Sequence, residues 1–289
     1  MARRADRDGS VRAGRLWLML GCTLTAALLA GCTSGASSVP GPGTGRLRQA
    51  LRAWSAFPAS ATPRPLVLTG PPVADPASGF PNGDAKLAYL EGAFKWPAGL
   101  PSGPATAAGY PLITAREAAQ VLRSAAATGP PVPTRLTVTG VRLGTAVFGT
   151  DRGQRQLPAW LFGLAGVHDP VGVLAVAASH IFAPTGRPAN GRPFVDDARL
   201  ARGGRTLTVR FTGAASGTGP CTASYSVTQA TSRTAVAVAV KEHAHGGSVA
   251  CAAVGYTRQV TVALAAPLGG RVLVDAASGV AVTVLPAAP

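Results

Sequence analysis

Four histidines, with the hydroxyl and carboxylate residues beside them, are where this 289-residue chain could do chemistry. Glu242-His243-Ala244-His245 is the densest group. On a strand, residues two apart project from one face, so both imidazoles could reach a single metal ion, with Glu242 turned away unless the chain bends. The Gly246-Gly247-Ser248 that follows argues instead for a loop tip carrying solvated imidazoles. That reading is preferred, and a metal site on His243 and His245 is kept as the alternative. His168-Asp169 and Ser179-His180 hold the residue types of a nucleophilic triad. No Gly-x-Ser-x-Gly, His-Glu-x-x-His, Cys-x-x-Cys or phosphate-loop motif accompanies them. Their coincidence is therefore ascribed to chance, and no catalytic residue, cofactor or metal is assigned. Asp196 and Asp197, as neighbours on an extended segment, are expected on opposite faces, which is poor for a shared acid/base site. Trp96 and Trp160 are read as core residues before cleft residues, because only 6% of the chain is aromatic.

The N-terminus carries a different signal. Arg3, Arg4, Arg7, Arg12 and Arg15 precede an apolar run from Leu16 to Ala30. As a helix that run rises about 22 Å, short of a roughly 30 Å hydrocarbon core, and it describes a secretory signal peptide. It ends in Leu29-Ala30-Gly31-Cys32, which resembles the bacterial lipobox. The resemblance implies removal of residues 1–31 and a diacylglyceryl thioether on Cys32, anchoring the chain at the outer face of the cell membrane. Met19-Leu20-Gly21-Cys22 is a poorer match. Each buried methylene contributes about 0.8 kcal/mol, and two acyl chains give stable attachment. No other run approaches 18 apolar residues, so no spanning helix is expected. Cys22 leaves with the leader and Cys32 takes the lipid, so Cys221 and Cys251 remain. In an oxidising compartment they are expected to form one disulfide, two free thiols being the alternative. Closing a loop of about 30 residues would stabilise the fold by roughly 3–4 kcal/mol.

The formal charge is +15, and Lys86, Lys95 and Lys241 are the only lysines. The arginines are scattered without interleaved aromatics, and the densest run (Arg187, Arg192, Arg199, Arg202, Arg205, Arg210) contains Asp196 and Asp197. That pattern argues against nucleic acid and for an anionic membrane or wall beside the protein. With 47% hydrophobic and 13% charged residues, the chain is too apolar to be disordered.

Ser, Gly and Pro from Thr33 to Gly45 mark a flexible tether, placed over residues 32–63. Within it, Leu47, Ala50, Leu51 and Trp54 share one helical face. Either they dock on the folded domain, the preferred reading, or they lie on anionic lipid as an interfacial helix. Residues 64–183 read as one module. Asp84 to Trp96 has helical spacing, and Thr114-Ala115-Arg116-Glu117 is a capping box opening a second helix that Gly129-Pro130 stops. The period then changes from 3.6 to 2, with Asp151-Arg152-Gly153 as a hairpin turn. Residues 184–204 read as a linker. Residues 205–289 alternate Val and Leu with Thr, Ala and Ser in short segments, ending in a hairpin around Ala277-Ser278-Gly279. The fold class expected is α+β: a helix-on-antiparallel-sheet N-terminal module, followed by a small all-β antiparallel sheet or sandwich with one disulfide.

Two resemblances follow from these residues. The helix, Val141-Arg142-Leu143-Gly144 and Leu157-Pro158-Ala159-Trp160 resemble small PepSY-like modules of secreted bacterial proteins. Pro63-Arg64-Pro65-Leu66-Val67-Leu68, Gly79-Phe80-Pro81-Asn82-Gly83-Asp84-Ala85-Lys86 and Leu157-Pro158-Ala159-Trp160 resemble uncharacterised secreted or lipid-anchored actinobacterial (Streptomyces-like) proteins. The second resemblance implies placement in the envelope and no activity. The function expected is a non-enzymatic, outward-facing binding or structural lipoprotein. Its expected partners are the membrane, through its lipid, and an anionic envelope polymer or a protein. An envelope hydrolase with an unrecognised site is the alternative from another class, alongside the metal-binding lipoprotein.

Overall fold

The computed structural model describes residues 42–126, 133–184, 194–246 and 249–287. Residues 1–31, read above as a leader, Cys32 with the lipid expected on it, the Gly129-Pro130 stop, and Arg187 and Arg192 lie outside the described residues. Strand outweighs helix, 42% against 14%.

The chain enters through α1 (Pro42–Ala53) and then β1 (Val73–Ala74), α2 (Gly83–Leu90), β2 (Phe94–Lys95), the small ribbon β3 (Thr106–Ala107) and β4 (Tyr110–Pro111), and α3 (Ala115–Ala126). The long strands β5 (Leu136–Thr150) and β6 (Gly153–Leu164) form an antiparallel hairpin. Its turn is the expected Asp151-Arg152-Gly153, with Gly153 at φ 90°, where a side chain would be strained. β7 (Val171–Leu174) completes a five-stranded sheet in the order β1-β7-β6-β5-β2. β6 sits at its centre and is buried on both faces: Trp160 and Phe162 belong to one core cluster, and Leu157, Ala159 and Leu161 to another. The first cluster also takes Ala88 and Tyr89 of α2 and Ala118 and Leu122 of α3. Tyr89 donates to Asp75 at 2.6 Å, and burial, reinforced by that carboxylate, pushes its phenol well above the ordinary range. α3 starts with the expected capping box. Thr114 Oγ1 accepts from the Glu117 amide at 3.2 Å, and the Glu117 carboxylate accepts from the Thr114 amide at 2.7 Å.

The remaining strands are β8 (Val195–Leu200), β9 (Thr206–Gly213), β10 (Thr222–Thr231), β11 (Ala235–His245), β12 (Tyr256–Ala263), β13 (Val272–Asp275) and β14 (Thr283–Leu285). They make a three-stranded sheet, β10-β11-β13, and a four-stranded sheet, β12-β9-β8-β14. Val236, Val238 and Leu273 of the first meet Ala198, Leu207 and Val209 of the second in a common core. Three expectations are corrected here. Val195–Leu200, inside the segment read as linker 184–204, is strand β8, because Val195 and Ala198 are needed in that core. Two pairings in the expected antiparallel module are parallel, β11 with β13 and β8 with β14. The terminal turn at Ala277-Ser278-Gly279 sends its two arms to different sheets, so the hairpin bridges the sandwich.

The tether 32–63 is also corrected from Pro42 onward. β11 alternates Val with Ala, and its alanine side is covered by α1. Leu47, Ala50, Trp54 and Phe57 form one cluster with Ala235, Ala237, Val272 and Val274. The small side chains let the helix approach the sheet closely. Trp54 is 1% exposed and donates its indole N–H to Gly279 O at 3.0 Å. The apolar face of the helix therefore docks on protein, as the preferred reading had it. The β5–β6 turn ties this region to the first sheet. Asp151, 1% exposed, receives both terminal nitrogens of Arg64, one at 3.1 Å, with Arg152 Nε 3.6 Å away. Arg64 also donates to Gly270 O at 3.0 Å and lies over the Phe57 ring, and Arg152 donates to Gly269 O and Arg271 O, each at 2.8 Å.

Candidate functional site

The residues first considered for catalysis stay apart. His168 Nδ1 lies 3.1 Å from the carboxylate of its own neighbour Asp169. The hydrogen bond from Ser78, then that from His168, holds the Asp169 carboxyl below its usual value. Ser179 meets its own neighbour His180 at 3.1 Å in a single 3-10 turn (Ala178–His180), with Tyr110 edge-on to the imidazole. No hydrogen bond among the described residues joins one pair to the other, so no triad is assembled. Asp196 and Asp197 depart from the expected opposite faces. The β8–β9 register shifts between Val195 and Asp197, a bulge that turns both carboxylates toward β9. There Asp197 takes the Arg210 guanidinium and Asp196 accepts from Thr212 at 3.4 Å.

His243 and His245 are not on a loop tip. Both lie in β11, opposite Ser224 and Thr222 of β10. They share the face that two-residue spacing predicts, but they lean in parallel. His243 Nε2 is 2.8 Å from Ser226 Oγ, and His245 Nε2 is 3.1 Å from Ser224 Oγ. His245 Nδ1 donates to Gly217 O at 2.7 Å. Serines two residues apart on one strand are separated by about 7 Å. Two nitrogens each about 2.0–2.1 Å from one zinc ion must be closer than that, so this arrangement does not chelate. Glu242 is on the opposite face and accepts from Tyr225 at 2.9 Å. No group of three His, Cys, Asp or Glu side chains converges among the described residues. The Cys221 and Cys251 sulfurs lie at disulfide distance, with Cα atoms 5.5 Å apart, beside an open hollow of about 570 Å³.

A more coherent arrangement lies along α3. Arg116, Gln120 and Arg123 follow one another at helical spacing on its exposed side, facing Trp96 and the Pro97–Leu100 loop across a cleft of about 240 Å³. Trp96 is fixed edge-to-face against Phe94 (5.5 Å) and Phe162 (5.8 Å). The Arg123 guanidinium lies over its ring at 4.5 Å. Stacking holds that cation in place while leaving its N–H edge free. Neither Arg116 nor Arg123 takes part in any ion pair among the described residues. Arg116 also borders a second hollow of about 620 Å³, where the 100–105 loop passes over Trp160. Trp160 is 1% exposed and donates to Ile113 O at 2.9 Å. A Cβ on Gly103 would come within 2.6 Å of its ring, so this contact needs glycine. Trp160 is thus a core residue, whereas Trp96 walls the cleft.

Chemically, the cleft offers two unneutralised guanidinium groups and an amide over an apolar wall, a setting for an oxyanion. Sequence reading missed Arg116, Gln120 and Arg123. The available signal was the polar stripe of α3, which carries two arginines with no acid three or four residues away. No family model matches the chain, and neither curated proteins nor solved structures include a match.

Proposed function

We propose that this chain is a cell-envelope lipoprotein, anchored at the outer face of a bacterial membrane through Cys32, whose body binds an anionic envelope polymer without turning it over. The observation that carries this reading is the α3 cleft, with Arg116 and Arg123 unpaired and Arg123 set on Trp96. The charge balance supports it: beyond the apolar run only ten acidic residues remain in a strongly basic chain. The lipobox-like Leu29-Ala30-Gly31-Cys32 and the resemblance to actinobacterial lipoproteins supply the placement. We take residues 64–183 as an α+β module with α2 and α3 on one sheet face, supported by their shared cluster with β5–β7.

The test uses mature protein made without lipid by Cys32→Ser, titrated with polyglycerol phosphate and, in parallel, with a neutral glucan. Binding of the polyanion alone, weakened by salt and at least tenfold by Arg116→Gln with Arg123→Gln, is the expected result; hydrogen bonds to charged groups contribute about 1.5–3 kcal/mol each. Equal binding by wild type and double variant would remove the cleft from the account. Progressive cleavage of the polymer would replace binding with hydrolysis. Incorporation of labelled palmitate, lost in Cys32→Ser, reads the anchor independently.

A further inference from the structure

The docked helix α1 leaves its flanks and back uncovered, and these are cationic: by helical spacing Arg52 lies near the back, with Arg46 and Arg48 on opposite flanks. Leu47, Ala50 and Trp54 point into the β11–β13 surface, while Arg46, Arg48 and Arg52 are exposed. α1 contains no acidic residue, and none of its arginines belongs to an ion pair among the described residues. Only nine residues, Thr33 to Gly41, separate Cys32 from its first residue. Fully extended, that link spans about 35 Å, and as a coil about 17 Å. If Cys32 carries the lipid, as proposed above, α1 is the described element with the shortest covalent path to the bilayer.

We propose that Arg46, Arg48 and Arg52 form a membrane-contact surface that binds anionic phospholipid headgroups, while the apolar face of the same helix stays docked on the sandwich. The two sides of α1 then have separate tasks. The apolar stripe holds the helix to the protein, and the arginine side draws it to the lipid surface within a Debye length of roughly 8–10 Å. This differs from an interfacial helix, which would insert Leu47 and Trp54 into the acyl region. Those residues are already buried against protein. The contact would orient the body with α1 toward the membrane, so that the lipid supplies attachment and the arginines supply direction.

The experiment uses the unlipidated Cys32→Ser protein, so failure of the anchor, read by palmitate labelling, cannot be mistaken for failure of this contact. Co-sedimentation is measured with phosphatidylcholine vesicles with and without phosphatidylglycerol. The expected result is binding only to the anionic vesicles, abolished by high salt. Each arginine near such a surface contributes about fivefold, so Arg46→Gln, Arg48→Gln and Arg52→Gln together should weaken partitioning on the order of a hundredfold. The corresponding triple lysine variant should retain binding. A control with the same loss of charge elsewhere, Arg135→Gln, Arg142→Gln and Arg202→Gln, should lose little. All these side chains are exposed, so the variants are expected to melt like wild type. Equal losses in the two glutamine variants, or no binding of wild type to anionic vesicles, would overturn the proposal.

Discussion

Trp54→Ala tests whether α1 belongs to the folded body or is a segment resting on it. The Trp54 ring is enclosed by Phe57 at 6.1 Å and Phe182 at 5.4 Å, and its N–H reaches Gly279 O. Truncating a buried tryptophan to alanine costs about 3–5 kcal/mol through lost transfer energy and the cavity left behind. The Gly279 carbonyl also loses its indole donor, worth about 1 kcal/mol. The sum is about 4–6 kcal/mol, set mostly by how far Phe57 and Phe182 can collapse into the space. For a body of this size a melting temperature moves roughly 2–4 °C per kcal/mol, so a fall of about 8–24 °C is expected. Trp54→Phe keeps most of the ring contact and loses the donor, so its cost should be only about 1–2 kcal/mol. Both variants are measured in the oxidised Cys32→Ser protein by urea titration and by thermal melting. A Trp54→Ala protein within about 1 kcal/mol of wild type would mean that α1 does not contribute to the cooperative unit.

Three further perturbations follow. Asp151→Asn leaves Arg64 and Arg152 facing each other without their carboxylate. Breaking a fully buried pair costs about 3–5 kcal/mol, but these arginine side chains are 21% and 30% exposed, so about 2–3 kcal/mol is expected from a urea midpoint. Replacing Cys221 and Cys251 together by serine should cost about 3–4 kcal/mol for a closed loop of 30 residues, a difference that should vanish when wild type is reduced. Tyr89 gives a pH signature: its phenol is raised in the folded state by burial and then by Asp75, so the unfolded chain loses that proton first. Stability should fall as pH rises above about 10, where a free tyrosine titrates, and more steeply in wild type than in Tyr89→Phe; parallel slopes would remove the argument.

The parts of the fold legible in sequence are those fixed by local rules. The capping box at Thr114 and Glu117 satisfies helix amides within one turn, so its residues announce α3 without any tertiary information. Asp151-Arg152-Gly153 is similar, because only the turn geometry of Gly153 is at stake. What did not show was decided at a distance. The alternation along β11 marks a strand with a valine face, but alanine on the other side fits a solvent face or a helix-covered one equally well. The covering helix lies about 180 residues earlier, inside a segment whose composition reads as tether. β8 was missed for a related reason: it is a short strand of charged residues flanking Val195 and Ala198, and only its pairing with β9 and β14 makes it part of a sheet.

The candidate site follows the same division. Charge counting revealed an excess of arginine but not where it matters, because a cation acts on a ligand only where no carboxylate neutralises it. That condition depends on what each acid is already doing. Glu117, the one acid on α3, turns back onto Thr114, and this hydrogen bonding holds its carboxyl below the usual range. Asp151, Asp197 and Asp275 are likewise committed, to Arg64, to Arg210 and to the Ser278 turn. Arg116 and Arg123 take part in no ion pair among the described residues, and the one acid of their own helix is occupied by its cap. The cap that makes α3 legible thus also withdraws its one carboxylate from the cleft, and a helix opened by serine or asparagine without Glu117 would present the same arginines. Thr114→Ser with Glu117→Gln should therefore keep the cleft's affinity for polyglycerol phosphate, whereas Gln120→Glu, which puts a carboxylate between the two arginines, should lower it tenfold or more.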